Sequence, residues 1–321
     1  MNETYAELAT VSRHGFIESR HFGSLIALDK SGKASVEVGP VDAPILPRSS
    51  TKPLQALACL RAGAPLRDAQ LAIACGSHTG EPKHVEVVDS ILSLAGLTRE
   101  ALQCPPSKPE SDEAYRALIK AGIEPERIHM NCSGKHAAML LACSVNNWPI
   151  ENYLDPSHPL QKMVAQAYED ILETKVELST IDGCGAPLFT TTPRGLARGF
   201  QKIAQATENG APELFAIKNA MSTFSFYVGG SKHANSDVMT MIPGSISKGG
   251  AEGVLGIAMP DGASVAMKII DGSPRATTFL ALQTFKSMGY DISGAASYAH
   301  VAVYGGGKEV GEISIGKDLA L

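Results

Sequence analysis

Aromatic side chains make up only 6% of this 321-residue chain, and tryptophan occurs once. A large aromatic ligand cage is therefore excluded, while 31 glycines favour closely packed elements joined by tight turns. No apolar stretch approaches the roughly 20 residues that span a bilayer. The net charge of −5 is not gathered into any long run of one sign, so the footprint of a nucleic-acid or membrane partner is missing. Six cysteines (Cys59, Cys75, Cys104, Cys132, Cys143 and Cys184) are too few to hold a chain this long together as a disulfide scaffold. They read as reduced thiols, buried residues or metal ligands. The segment from Met1 to Gly23 has neither a basic stretch nor an apolar core, so no signal peptide is expected and the compartment reads as cytoplasmic.

What is present is apolar enough, at 44%, to bury a full core. Ser24–Asp29 and Ala34–Gly39 read as strands joined by the turn Lys30-Ser31-Gly32-Lys33. Helical patterns follow at about 50–62, 82–95 and 111–122. The Ala-rich run His136–Val145 predicts a buried helix, and Pro159–Glu173 predicts another. Val176–Asp182 reads as a strand, and Pro193–Thr223 as helical. Near the C-terminus, Gly253–Met259 and Ala263–Ile270 flank the hairpin turn Pro260-Asp261-Gly262. Pro274–Met288 predicts a helix, and His300–Tyr304 with Glu312–Ile315 a last strand pair. Strands at both ends and helices between them give an α+β class. The sheet is antiparallel, built from about 20–40 and 245–318, and carries a helical region of about 50–240 in one catalytic domain, 1–321.

Ser49-Ser50-Thr51-Lys52 places a hydroxyl three residues before an amine. On a helix these positions share a face, so Lys52 is expected to reach Ser49. A serine becomes nucleophilic when a nearby base takes its proton, and a desolvated lysine can be that base. Four further clusters are Gly-rich, polar and bounded by apolar structure. Cys75-Gly76-Ser77-His78 closes an apolar run and puts Ser77 on an exposed turn. Asn131-Cys132-Ser133-Gly134-Lys135-His136 opens the buried helix, where backbone amides can hold an oxyanion. Asp182-Gly183-Cys184-Gly185 exposes an acid and a thiol between glycines. Cys132 and Cys184 with one His or Lys nearby suit zinc, and from chemistry alone His136 is the likelier third ligand, because Lys135 must first lose a proton. Lys248-Gly249-Gly250-Ala251-Glu252-Gly253 precedes a strand, in the place where Lys-Thr-Gly follows Ser-x-x-Lys in penicillin-interacting enzymes.

Together these five motifs resemble the bacterial L-asparaginase II family of the rhizobial type. The resemblance spans about residues 20 to 310. It implies a fold like those of serine β-lactamases and glutaminases, and hydrolysis of L-asparagine to L-aspartate and ammonia. It also implies two serine–lysine pairs, Ser49 with Lys52 and Ser77 with Lys248, with Lys268 as a competitor for the last position. A zinc ion on Cys132, Lys135 and Cys184 is implied as well, as is a homodimer. Arg48, His78, Asn131, His136, Asp182 and Glu252 stand in the shared motifs as substrate-binding or supporting positions.

The reaction expected is acyl transfer, with Ser49 as nucleophile and Ser77 in a proton relay or oxyanion clamp, or the reverse. Backbone N–H groups at the Ser49 or Ser77 turns are expected to hold the oxyanion. A glutaminase differs by one methylene of substrate. A penicillin-interacting hydrolase and a non-catalytic zinc or thiol sensor are the other readings.

Overall fold

A computed structural model describes residues 4–321. The chain opens with β1 (Ala6–Arg13), β2 (Phe16–Leu28) and β3 (Ala34–Val38). Six helices follow: α1 (Lys52–Arg61), α2 (Asp68–Ala74), α3 (Pro82–Leu94), α4 (Asp112–Ala121), α5 (Ser133–Val145) and α6 (Pro159–Leu172). A short pair, β4 (Ser179–Ile181) and β5 (Pro187–Phe189), leads to α7 (Pro193–Gln205), α8 (Pro212–Thr223) and α9 (Ala234–Met241). The chain closes with β6 (Ile246–Gly250), β7 (Val254–Ala258), β8 (Ser264–Ile269), α10 (Thr277–Ser287), β9 (Ala302–Gly305) and β10 (Lys308–Ile315).

The main sheet runs β6-β7-β8-β2-β1-β10-β9, with β3 also on β2, and its ladders are antiparallel. Both ends of the chain build it, as the distribution of strand signals predicts. Its central strands are buried on two sides, which their apolar composition requires. Ile26 and Leu28 of β2 face the core under the helical region, while Leu25 and Ala27 face the core under α10. Against the first face lies α7, in contact with β2, β7 and β8. Gly256 of β7 makes that approach possible, since a Cβ there would fall 2.3 Å from the Phe200 ring.

Several boundaries differ from the sequence reading. β1 is absent from it, because register shifts at Glu7/Ala9 and Val11/Ser12 break the alternation of its apolar residues; residues 1–3 ahead of it lie outside the described residues. The 176–182 strand shrinks to Ser179–Ile181, since only three residues find a ladder partner. Pro193–Thr223 is two helices, separated by the Gly210 turn. The helix at 274–288 starts at Thr277, and α2 and α9 were not anticipated as helices.

α5 is the helix that fixes the interior. From Ser133 to Cys143 every residue is buried, and it touches α1, α2 and α3. Its first turn thereby carries Lys135 and His136 inside the protein. Replacing Gly256 with valine should destabilise the fold by about 1–3 kcal/mol through the forced displacement of Phe200. Urea denaturation of the G256V variant measures this as a lower midpoint.

Candidate active site

The Ser49 segment is a single 3-10 turn, Arg48–Thr51, that runs directly into α1 with Pro53 in its first turn. Arg48 holds φ at 53°, a left-handed conformation that costs a side-chain-bearing residue on the order of 1 kcal/mol. The Arg48 guanidinium offsets that cost, for its Nε donates to Asp182 Oδ1 at 2.7 Å and the pair is largely shielded from solvent. Asp182 is fixed in turn by the Gly183 N–H at 2.9 Å. The end of β6 presses on the same turn. A Cβ on Gly250 would lie 2.4 Å from the Pro47 carbonyl oxygen, so only glycine lets the strand sit this close.

Lys52 is 1% exposed and reaches away from its own turn. Its Nζ donates to the Gly76 carbonyl at 2.6 Å and the Asn131 carbonyl at 3.2 Å, and it lies 2.9 Å from Ser77 Oγ. Two of these three partners can only accept. The third N–H is donated to the Ser77 hydroxyl oxygen, which leaves the Ser77 proton free to turn toward another acceptor. The expected Ser49–Lys52 couple is thus replaced in the structure by Lys52–Ser77. Carbonyls from two other loops compete for the amine, and helical spacing alone does not outweigh them. The Ser49 hydroxyl has no hydrogen-bond partner among the described residues.

Lys248 on β6 is also 1% exposed, and among the described residues its Nζ bonds only the neighbouring Gly249 carbonyl, at 2.6 Å. Burial, reinforced by the positive charge of Lys52, pushes its pKa well below the usual lysine range. No hydrogen bond joins it to Ser77, so that expected couple is not made directly. Both residues nevertheless line one cleft of about 350 Å³, together with Ser49, Asn131, Asn235 and Gly250. Lys268 lies elsewhere, its Nζ on the carbonyls of Glu252 and Ile269. A larger groove of about 420 Å³ beside α3 and α4 has no serine or lysine in its walls.

The family model of L-asparaginase II matches residues 9–315. The chain belongs to the L-asparaginase II family. Among solved structures, a β-lactamase from Mycobacterium bovis is 13% identical, with 86% of this chain and 94% of that one covered, at a TM-score of 0.44. A Bacillus glutaminase is 12% identical over 84% of this chain and 92% of its own, at a TM-score of 0.39. No curated protein sequence matches significantly.

In this family member the other expected residues divide by position. Asn131 lines the cleft and links its parts: its carbonyl takes Lys52 and the His78 N–H, and its Nδ2 donates to Glu110 Oε1. His78 is wholly buried. Its Nδ1 accepts from the Gly80 N–H at 3.1 Å and its Nε2 meets Ser133 Oγ at 2.8 Å, so the ring ties the Ser77 loop to α5 and does not face the cleft. Arg48 and Asp182 satisfy each other behind Ser49, and Glu252, 64% exposed in its side chain, stands 4.0 Å from Arg48. His136 is buried against Tyr153, with Nδ1 and the phenol oxygen 2.6 Å apart. None of these five lines the cleft.

Three cleft residues escaped the sequence reading: Glu110, His233 and Asn235. Asn235 Oδ1 accepts from the Gly249 N–H at 2.9 Å, which pins the strand next to Lys248. His233 caps α9 through Nδ1. A polar His-x-Asn just ahead of the Lys-Gly-Gly strand was the available signal for two of them; for Glu110, in a proline-rich loop, there was none.

Behind the cleft, Lys135 Nζ lies 2.9 Å from Cys184 Sγ, and Cys132 and Cys184 interact directly. The Cys132 contact and the Lys135 charge hold the Cys184 thiol far below its ordinary pKa, whereas the Cys132 thiol is raised by the same contact and by burial. Burial opposes the Lys135 charge but is outweighed by Cys184 and Cys132, which raise its pKa. The His136 ring acts electrostatically on Cys184, while its buried Nε2 has no hydrogen-bond partner in good geometry among the described residues. Among the described residues no three His, Cys, Asp or Glu groups are placed to hold a metal ion. A metal here therefore needs the Lys135 amine as well as both sulfurs.

Burial lowers the His233 pKa from 6.5 to about 4, with Lys248 adding to the effect. The folded protein thus refuses a proton that the unfolded chain accepts. The stability this gives is complete above pH 6.5 and is lost as pH falls toward 4, an effect on the order of 3 kcal/mol. Replacing His233 with asparagine keeps a capping oxygen and should flatten the pH dependence of unfolding free energy between 6.5 and 4.

Proposed function

We propose that this L-asparaginase II family member hydrolyses the side-chain amide of L-asparagine to L-aspartate and ammonia by acyl transfer to Ser49. The observation that carries this reading is one small cleft lined by Ser49, Ser77 and the buried Lys248, with a second buried amine, Lys52, bonded to Ser77 from behind. Family membership supports an amidohydrolase of the asparaginase type.

The hydroxyl of Ser49 is uncommitted, half-buried and held at the cleft wall by the strained Arg48 turn. It attacks the amide carbon, and the developing oxyanion takes the N–H groups of Ser49 and Ala251. Three observations favour this hole over one at the Ser77 turn. The Ser77 N–H already donates to the Val228 carbonyl at 2.8 Å. The Ala251 N–H has no acceptor among the described residues. Gly250 brings that end of β6 against the Ser49 turn.

Lys248, its pKa lowered by burial and by the charge of Lys52, is the amine in the cleft suited to take the proton from the attacking hydroxyl. Ser77, bonded to Lys52, relays a proton to the departing ammonia, and the same groups then activate water on the ester. Donors preorganised in a buried site supply the larger share of the barrier reduction.

Cys132, Lys135 and Cys184, with His136 beside them, fit a zinc ion by donor chemistry once Lys135 gives up its proton. A bound ion would join the 131–136 and 182–185 segments and so hold Asn131 and the Arg48–Asp182 pair in place. The protein is proposed to act as a homodimer in the cytoplasm.

Mutant kinetics, acyl-enzyme trapping, a substrate comparison and metal analysis test this. Ammonia release from asparagine should vanish in S49A, while S77A should keep acylation slower by about 10²–10⁴-fold. An acyl-enzyme trapped by mass spectrometry on Ser77 would reverse the assignment. Glutamine should be slower by about 10–200-fold, the value of one methylene. Metal analysis should find stoichiometric zinc in the native protein and none in C184S. A metal-free, fully active native protein would remove the ion from this account.

A further inference from the structure

A substrate that carries an α-ammonium group needs an anionic partner where it binds. The cleft contains a single acid among its lining residues, Glu110. We infer that the Glu110 carboxylate receives the α-ammonium of the substrate and thereby selects α-amino-acid amides over amides lacking that group. The inference rests on the asparaginase reading above and names a contact that the expected motifs did not contain.

The loop that carries Glu110 is built to hold it still. Pro105, Pro106 and Pro109 restrict the backbone on its N-terminal side. Pro109 lies against Gly80, where an added Cβ would come within 3.0 Å of the Pro109 side chain. Ser111, the next residue, donates its N–H to the Thr79 carbonyl at 2.9 Å. Glu110 is thus attached to the chain only two residues beyond Ser77. Asn131 Nδ2 donates to Oε1 and orients the carboxylate, and Oε2 makes no hydrogen bond with the described residues. The same Asn131 accepts Lys52 through its main chain. One residue therefore sets the position of the acid and of the amine, which fixes the distance between the binding charge and the reacting serines.

A rival role exists on the same geometry. Glu110 acts electrostatically on Lys248 and could serve as its counter-ion. That role would affect every amide equally and would move the pH profile of turnover. A receptor for the ammonium group affects only substrates that possess one.

The test compares L-asparagine with succinamic acid, which is the same molecule without its amino group. The native enzyme should favour asparagine in kcat/KM by about 10–100-fold, the value of a hydrogen bond between charged groups. Glu110→Gln, which preserves an oxygen for Asn131, should erase that preference by raising KM for asparagine. Rates on succinamic acid should fall far less than those on asparagine. Glu110→Asp should recover part of the preference. Binding of L-aspartate and succinate, followed by thermal shift, gives a second readout that needs no turnover: L-aspartate should bind better to the native protein, and equally with succinate to E110Q. Equal losses on both substrates would overturn the inference in favour of the counter-ion role. An unaltered preference in E110Q would place the ammonium group elsewhere. If the native protein hydrolyses neither amide, the asparaginase reading fails, and the binding pair still decides the role of Glu110.

Discussion

The hydrogen bonds of the Lys52 amine hold the cleft together. An amine taken out of water must find acceptors, and Lys52 finds them on three residues from two loops remote from its own helix. The Gly76 carbonyl and the Asn131 carbonyl lie 24 and 79 positions away along the chain. Satisfying one nitrogen therefore brings the start of α1, the Ser77 loop and the entry to α5 to one point. The orientation of Ser77, the placing of Asn131 and through it the direction of Glu110 follow from that meeting.

The second amine is controlled differently. Lys248 is delivered by a strand; among the described residues its amine bonds a single carbonyl, and the like charge of Lys52 acts on it more strongly than the opposite charge of Glu110. Two lysines with complete hydrogen-bond sets would both stay charged and would repel. Burial, reinforced by that like charge, drives the pKa of the one short of acceptors well below the usual lysine range and so favours it as a proton acceptor. Close approach makes this division possible. Glycine at 250 lets the strand touch the Ser49 turn, and glycine at 256 lets α7 cover the sheet beneath it. The Arg48–Asp182 pair holds a backbone conformation that would otherwise relax and carry Ser49 away from the cleft.

Beneath the cleft, Cys132, Lys135, His136 and Cys184 form a second polar group inside an apolar core. Its members are adjacent in sequence to Asn131 and Asp182, so any change in their charge or ligation bears on residues that shape the substrate site. Polar groups this deep are costly unless paired, and the Lys135–Cys184 contact supplies a charge pair in the protein as described.

Much of this was legible in the residues themselves. Short apolar runs at 24–29 and 263–270 marked strands, and the Pro-Asp-Gly turn marked the hairpin partner of the second, because local backbone preferences act over a few residues. The Ala-rich run after Lys135 marked a buried helix for the same reason. Where an element has no periodic face, as in β1, or where its length depends on a ladder partner, as in β4, local signals fell short. The candidate site divides in the same way. The motifs carrying Ser49, Lys52, Ser77, Lys248 and Asn131 were visible as unusual local chemistry. Their partners were not: spacing of three on a helix pointed Lys52 to Ser49, but carbonyls from other loops drew it to Ser77. Glu110 had no local mark, since a glutamate after a proline is ordinary until folding sets it in a cleft with Lys248 and two serines. Sequence determined which groups were available and which elements carried them, because both are properties of short stretches of chain. Tertiary structure alone decided which groups meet, because a hydrogen bond goes to the best-placed acceptor in space, whatever its distance along the chain.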